Sequence, residues 1–313
     1  MHYTNEPTHP PVVAILGATA TGKTARAIQT ATWFEGEIVS VDSRYLYRGL
    51  DIGTAKPSAE ERRQVPHHLI DILDPRDDYS LALFQRDAFS TINQVLERDR
   101  LPVLAGGSPL YVRAVLEGWR IPEAAPDPTF RDEMQAFVDE QGADALHQRL
   151  RTIDPPAAER TAPQNVRRVI RALEIHRQTG RRMSDLEGKD PPPWRVLRIG
   201  LHIERETLFQ RIDRRVEQML QAGLVEEVRR LLESGVPADC TAMRSIGYQE
   251  VIPHLRGEYD EDAMTERIKF ATHRYVRHQL TWLRKTPGIH WIDALNPAAD
   301  REIFNLVRNH LRK

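Results

Sequence analysis

The sequence predicts an α/β fold: a parallel sheet flanked by helices and interrupted by a helical insertion. Three observations predict it. Short apolar runs that read as strands recur toward both ends of the chain and alternate with helix-length segments. The first of these runs passes directly into a glycine-containing turn that opens a helix. Between Trp119 and Trp194 the strand signal stops, and helical periodicity bounded by proline clusters replaces it.

Val12 to Leu16 is a continuous apolar run, the pattern of a strand buried on both faces. A helix is expected from about Lys23 to Thr32. Glu37 to Val41 is a second short strand, ending in Asp42 and Ser43, and Leu83 to Glu97 reads as helix. Leu101 to Ala105 is a third strand, closed by Gly106-Gly107. Past the turn-forming segment Pro122 to Pro128, apolar residues fall at helical spacing (Met134, Phe137, Val138, Leu146, Leu150) until Asp154-Pro155-Pro156 breaks the pattern. A helix from about Gln164 to Gln178 stops at Thr179-Gly180, and Asp190-Pro191-Pro192-Pro193 closes the segment. Val196 to Ile203 and Ile289 to Ile292 return to strand, with a long helix from about Glu261 to Arg284 between them. That helix carries an imperfect apolar stripe of Ile268, Thr272, Tyr275, Gln279 and Trp282. The division this implies is an α/β core over 1–118, a helical insertion over 119–194 and a return to the core with C-terminal helices over 195–313.

A chain of 313 residues suits one large domain and a smaller one. Residues 1–10 are polar, rich in Pro and Thr, and expected to be loose. The run Val12 to Leu16 is far too short to span a membrane and has no basic leader before it, so no membrane partner is expected. The single cysteine, Cys240, makes neither an internal disulfide nor a multi-cysteine zinc site, which points to a reducing, cytoplasmic setting.

Net charge is only −1, so any polyanion must be held locally. Arg167 to Arg182 contains six arginines and one acid, and Arg267 to Lys285 contains six Lys or Arg and no acid. Solvated helix faces are the simpler reading of either cluster taken alone.

The segment Gly17-Ala18-Thr19-Ala20-Thr21-Gly22-Lys23-Thr24 fits G-x-x-x-x-G-K-[ST] and lies between a strand and a helix, the context that gives the pattern its meaning. Glycines let backbone N–H groups curl around phosphate oxygens, and the helix N-terminus favours negative charge. Lys23 neutralises a phosphate, and the Thr24 hydroxyl can reach Mg²⁺ or a phosphate oxygen. The pattern is shared with ATP-binding and other nucleotide-binding proteins, but by itself it specifies phosphate rather than ATP. Asp42, at the end of a neighbouring strand, suits either a Mg²⁺ ligand or a general base.

Further motifs resemble one family, the bacterial tRNA dimethylallyltransferases, also called isopentenyl diphosphate:tRNA transferases. After the phosphate loop come Ser40-Val41-Asp42-Ser43, Tyr47-Arg48-Gly49-Leu50-Asp51-Ile52-Gly53-Thr54-Ala55-Lys56-Pro57 and Pro66-His67-His68-Leu69-Ile70-Asp71-Ile72. Ala105-Gly106-Gly107-Ser108-Pro109-Leu110-Tyr111, Arg168-Val169-Ile170-Arg171-Ala172-Leu173-Glu174, Arg244-Ser245-Ile246-Gly247-Tyr248 and Gln279-Leu280-Thr281-Trp282-Leu283-Arg284 follow in family order. Ser108 stands where the family usually has Thr, keeping the hydroxyl. Ala18 replaces a Pro in the loop, and Arg44-Tyr45 replaces smaller residues. The zinc finger of eukaryotic relatives is excluded by the single cysteine.

The resemblance implies a P-loop NTPase-like core and a prenyl transfer from dimethylallyl diphosphate to N6 of adenosine 37 in tRNA. The phosphate loop, Gly17 through Thr24, would bind the diphosphate with Mg²⁺ on Thr24. Asp42 would be the base, with Lys23, Thr24 and Arg131 in the catalytic set. Arg131 would face the phosphates or tRNA; its residue type alone suits an ordinary surface position. Asp42, Ser43, Arg44, Tyr45, Ser108, Arg131, Arg167, Arg168, Arg171, Arg244, Gly247, Tyr248 and Gln249 match tRNA-contacting positions, and the insertion would clamp the anticodon stem-loop. Lys269, Arg274, Arg277 and Arg284 are further candidates for the tRNA backbone, whereas Tyr275, Trp282 and Leu283 suit the core. His67 and His68 lack a third ligand at suitable spacing and read as structural. Asp51, Thr54 and Lys56 have no individual role legible in the sequence. The family suggests a monomer. Two rivals share the loop: a P-loop kinase for a nucleoside or metabolite, and an adenylate isopentenyltransferase acting on free nucleotides. Neither needs the basic insertion. An RNA-binding protein without catalysis would not need Lys23, Thr24 and Asp42 together.

Overall fold

The computed structural model describes residues 9–312, so most of the expected N-terminal tail lies outside the described residues. The first elements are β1 (Pro11–Gly17), α1 (Lys23–Trp33), β2 (Gly36–Ser40), α2 (Ala59–Gln64), β3 (His67–His68), α3 (Leu81–Glu97), β4 (Leu101–Gly106) and α4 (Pro109–Leu116). Next are β5 (Trp119–Arg120), α5 (Pro128–Gln141), α6 (Ala143–Ile153), α7 (Pro155–Glu159), α8 (Val166–Thr179), α9 (Met183–Leu186) and β6 (Gly188–Lys189). The chain ends with β7 (Arg195–His202), α10 (Arg205–Gln221), α11 (Leu224–Glu233), α12 (Tyr248–Leu255), α13 (Glu261–Lys285), β8 (Ile289–Asp293) and α14 (Ala299–Leu311).

Two compact units result: residues 1–116 with 193–313, and Glu117–Pro192. In the first, six strands form one sheet in the order β3-β2-β4-β1-β7-β8, and every pairing is parallel. A parallel sheet must be covered on both faces, and β1 shows how the sequence meets that demand. Val13 and Ile15 pack against α1, α10 and α14 through Ala27, Leu208 and Ile303. Val12, Ala14 and Leu16 point the other way, into Phe84 and Ala88 of α3 and Val115 of α4. All five residues of the run are fully buried. A third core joins Tyr47 and Leu50 to α10–α13 through Val216, Leu224, Tyr248 and Ile268. Among the described residues no helix is long and apolar enough to cross a membrane.

The second unit holds α5–α9 around Phe130, Leu146, Leu150, Val169 and Leu173, with β5 and β6 paired antiparallel at its two ends. Its limits fall two residues before the expected 119 and 194. Asp154 explains the proline break. Its carboxylate caps α7 by accepting from the Ala157 N–H (3.1 Å) and ties in α9 through the Ser184 N–H (2.9 Å). Pro155 then sits at the first helical position, where its missing N–H costs nothing. Gly180 ends α8 in the left-handed conformation, with φ 67°.

The sequence pattern missed the two-residue strands β3, β5 and β6, which are too short to show periodicity. It placed the long helix correctly, and Gln279 of its imperfect stripe is buried as a polar residue at 2% exposure.

Candidate active site

Strands β1, β2 and β4 run parallel, so their C-terminal ends meet at one edge of the sheet, where α/β proteins place ligands. Each delivers one part of the site: the phosphate loop after β1, Asp42-Ser43 after β2, and Gly107-Ser108 after β4. Close approach there demands glycine. A Cβ on Gly106 would lie 2.4 Å from the Val41 carbonyl oxygen, and one on Gly107 would lie 2.7 Å from the carbonyl oxygen of Gly17. A cavity of about 780 Å³ opens at this edge, lined by Lys23, Thr24, Asp42, Tyr45, Ser108 and Arg215 among others.

The loop is held in a tense conformation. Ala20, at φ 63°, occupies the left-handed region that disfavours a Cβ, and Gly22, at φ 86°, enters α1 from the same region. Strain of this kind persists where surroundings enforce it, and four contacts do so. Thr21 Oγ1 donates to the Ala18 carbonyl (2.8 Å), and Lys23 Nζ donates to the same oxygen (2.7 Å). Arg211 Nε donates to the Ala20 carbonyl (3.1 Å). The Thr19 N–H donates to Gln279 Oε1 (3.0 Å), while Gln279 Nε2 donates to the Gly107 carbonyl (2.7 Å). One buried side chain of α13 thus joins the loops after β1 and β4.

Lys23 is the central cation. Burial lowers its pKa to about 8; Asp42 opposes that shift and Arg215 adds to it. Asp42 accepts from the Arg44 N–H through Oδ1 (2.9 Å), a turn that fixes the carboxylate at the strand end. Ser108 Oγ accepts from the Ser43 N–H (3.2 Å) and lies 3.4 Å from Ser43 Oγ. Tyr275 lines the cavity together with Ser108 and Gln279. Burial, helped by the Asp42 charge, pushes its phenol up to about 12, so the hydroxyl stays protonated. Tyr45 donates to the Ala55 carbonyl (2.9 Å); burial, then the Asp42 charge, raises its pKa.

The motif around Asp51 proves to be an anchored loop. Lys56 Nζ, with a side chain 1% exposed, donates to the Tyr47 carbonyl (2.8 Å), Asp51 Oδ1 (2.6 Å) and Asp71 Oδ1 (2.6 Å). Thr54 Oγ1 donates to the Leu50 carbonyl (2.6 Å). These residues give the cavity a wall: Gly53, Thr54, Ala55, Lys56 and Pro57 all line it. His67 also lines it, and its Nδ1 lies 2.8 Å from the Val65 carbonyl oxygen. His68 Nε2 lies 2.6 Å from Glu37 Oε2, a structural contact.

Of the residues expected from sequence, Thr19, Ala20, Gly22, Lys23, Thr24, Asp42, Ser43, Arg44, Tyr45, Ser108, Arg244 and Gly247 line this one cavity. Gly17, Ala18 and Thr21 form the base of the loop beneath it. Gln249 is exposed. Tyr248 is a correction: it is fully buried, its hydroxyl donates to Glu227 and its ring underlies Gly53, so it has no surface to offer RNA. Lys269 pairs with the exposed carboxylates of Glu217 (3.0 Å) and Glu266 (3.3 Å). Arg274, Arg277 and Arg284 are exposed.

Within the helical unit, Arg131 forks onto Glu174 (Nε to Oε1 2.8 Å, Nη2 to Oε2 2.9 Å), and Arg171 donates to the same carboxylate (2.6 Å). Burial pushes the Glu174 carboxyl up, but the hydrogen bonds from Arg131, the Asp127 N–H and Arg171 outweigh it and hold the pKa below the usual range. Arg131 and Arg171 are therefore committed to shaping α8. Arg167 and Arg168 stand exposed on it, Arg168 with a loose 3.5 Å contact to Glu187.

Sequence reasoning missed Arg211, Arg215, Gln279 and Glu227. Arg211 and Arg215 are four residues apart on α10 and so share a helix face.

A strand–glycine loop–helix cradle, a lysine at its helix and a carboxylate on the next strand define a phosphate-binding α/β protein of the P-loop class. Comparison with known proteins narrows the class. Residues 45–286 match the model of the IPP transferase family. A tRNA dimethylallyltransferase from Thermomicrobium roseum is 56% identical over 303 residues, 97% of this chain and 92% of that protein. One from a Roseiflexus species is 45% identical, covering 95% of this chain and 98% of the relative. The full-length tRNA isopentenylpyrophosphate transferase from Bacillus halodurans has a TM-score of 0.73 at 41% identity, with 97% of each chain covered. A eukaryotic dimethylallyltransferase acting on tRNA reaches a TM-score of 0.81 at 27% identity, over 96% of this chain and 80% of that one. The chain belongs to the IPP transferase family.

Proposed function

We propose that this enzyme moves a dimethylallyl group from dimethylallyl diphosphate to N6 of adenosine 37 in tRNA, releasing pyrophosphate. The observation that carries the reading is the meeting of Lys23, Thr24 and Asp42 in one cavity, in a chain of this family. A phosphate site beside a carboxylate suits a reaction with a diphosphate leaving group and a nitrogen nucleophile that must lose a proton.

The N6 lone pair attacks C1 of the allylic diphosphate. The N–C bond forms, the C–O bond breaks, and pyrophosphate departs with the bonding pair. Adenine N6 is a weak nucleophile because its lone pair is delocalised into the ring. The Asp42 carboxylate, fixed by the Arg44 N–H, accepts the N6 proton as the bond forms. Lys23, with Arg215 beside it, stabilises the charge growing on the leaving oxygen. Ser108 and Tyr275 present hydroxyls on the Asp42 side of the cavity. The base must leave its stack to enter, so the RNA is bound with this nucleotide flipped out. Exposed arginines, Arg167 and Arg168 on α8 and Arg244 at the cavity, supply the phosphate contacts.

The donor set fits Mg²⁺. Thr24 and Asp42 offer hard oxygens at the phosphate site, the donor type of an ion held by one or two protein oxygens plus substrate phosphates. Thr24 would hold the ion, with Asp42 able to assist. Bound there, the ion would neutralise charge on the diphosphate. The enzyme is proposed to act as a cytoplasmic monomer.

The test is a transfer assay with purified protein, Mg²⁺, radiolabelled dimethylallyl diphosphate and unmodified tRNA carrying adenosines at positions 36 to 38, with AMP and ATP as parallel acceptors. Label in tRNA alone is expected. Label in AMP or ATP alone would replace this reading with the free-nucleotide one, and γ-phosphate transfer from ATP without prenyl transfer would replace it with a kinase.

A further inference from the structure

We infer that Glu227 is a positioning residue: from α11, behind the cavity, it sets the wall formed by residues 53–57 and thereby the affinity for the prenyl half of the substrate. The inference rests on the function proposed above. The wall lies in a turn rather than a helix or strand: the Ala55 and Lys56 N–H groups close it onto the carbonyls of Ile52 (3.0 Å) and Asp51 (3.1 Å), and the N–H groups at its start need partners elsewhere. Three consecutive N–H groups find one partner. Asp51 N donates to Glu227 Oε2 (3.1 Å), Ile52 N to Oε2 (2.9 Å) and Gly53 N to Oε1 (3.2 Å). The Tyr248 hydroxyl adds a fourth donor to Oε1. Glu227 is only 5% exposed, so this buried carboxylate is held mostly by the backbone that leads into the wall, Asp51 and Ile52, and by the wall's first residue, Gly53.

The geometry leaves the wall little freedom. A Cβ at Gly53 would lie 2.4 Å from Tyr248 Cε2 and 2.8 Å from Leu224 Cδ1, so the backbone rests directly on α11 and α12. Beyond Gly53, the Ala55 carbonyl accepts from Tyr45, which lines the cavity together with Thr24 of the phosphate loop. The wall is therefore fixed behind by Glu227 and in front by Tyr45. The lining beside it is apolar, with Val216, Met219, Ile246 and Ile268, which suits an alkyl chain and offers nothing to pyrophosphate.

Glu227→Gln keeps the shape but turns one acceptor oxygen into an NH₂ donor facing N–H groups, so the wall must shift. Titration calorimetry with three probes reads the result: pyrophosphate, a thiolo analogue of dimethylallyl diphosphate that resists transfer, and tRNA. The analogue should bind roughly ten to a hundred times more weakly, the range that an unsatisfied buried hydrogen-bonding group costs when the wall must be reset to receive the ligand. Pyrophosphate and tRNA affinities should stay within about twofold, since Glu227 bonds Asp51, Ile52, Gly53 and Tyr248 and no residue of the phosphate loop. Tyr248→Phe, which removes one donor and keeps the carboxylate, should act in the same direction by a smaller factor, and it carries the test if Glu227→Gln does not fold. Parallel loss of all three affinities would reduce Glu227 to a structural residue and overturn the inference, as would unchanged analogue binding. The wild-type transfer assay runs beside these titrations. Transfer to tRNA by the wild type, together with unchanged analogue binding in the variants, overturns this inference alone. Absence of transfer overturns the proposed function.

Discussion

Lys23 gives the reaction a pH dependence whose size follows from its surroundings. With a pKa of about 8 in the free protein, the ammonium is about nine-tenths protonated at pH 7 and about one-tenth at pH 9. A diphosphate needs the charged form, so its apparent affinity should weaken about tenfold between those values. The ligand's own titration is removed by reference to Lys23→Gln: the ratio of wild-type to variant affinity should be about 10–150 at pH 7, the worth of a charge-assisted hydrogen bond, and about ten times smaller at pH 9. Calorimetry with pyrophosphate in two buffers of different ionisation enthalpy should also show proton uptake near pH 8. In the free protein the same burial acts on stability. The unfolded chain, with an ordinary lysine near 10.5, holds a proton between pH 8 and 10.5 that the folded chain has released. The penalty is therefore full below pH 8 and relieved as pH rises through that window. A ratio flat from pH 7 to 9, with no proton uptake, would refute the argument that burial of Lys23 controls phosphate binding.

Three further perturbations test the rest of the site. Asp42→Ala should lower turnover roughly 10²–10⁴-fold with tRNA affinity largely kept; lost tRNA binding with unchanged single-turnover rate would reject the base role. Reversing the charge of exposed Arg167 and Arg168 together should weaken tRNA binding and reduce its salt slope by about two, without lowering the melting temperature. Lys56→Met should cost about 3 kcal/mol in urea unfolding, the low end for breaking a buried pair, because Asp51 and Asp71 keep side-chain exposures of 55% and 27%.

The sheet and the phosphate loop were legible because their signals are local. An apolar run, a glycine turn and a helix are adjacent in the chain, and burial on both faces leaves β1 without polar alternation. What escaped depends on distant parts of the sequence. Gln279 meets Thr19 across 260 positions and Arg211 meets Ala20 across 191, and a helical repeat does not say which face of α13 or α10 will meet the loop. Lys56 shows its charge in the sequence but not the carboxylates that bury it. Tyr248 misled because it shares a glycine-containing motif with Arg244, which does reach the cavity; the turn at Gly247, with φ 95°, sends the following side chain into the core instead.

The sheet order has a bearing on synthesis. β1 lies at the centre of the finished sheet, yet its longest partner, β7, joins along seven residue pairs and begins only at Arg195. At ribosomal rates of about 5–20 residues per second, the intervening residues 18–194 take roughly 9–35 s to appear. β2 and β4 can pair beforehand, but for that interval the most apolar strand of the protein is an edge strand with open hydrogen-bonding groups, the situation that invites association between nascent chains. The helical unit, made in the middle of this wait, is thus a delay written into the gene. Slower translation of residues 117–192 would lengthen the exposure, and chaperone cover of β1 would matter most while that unit is being made.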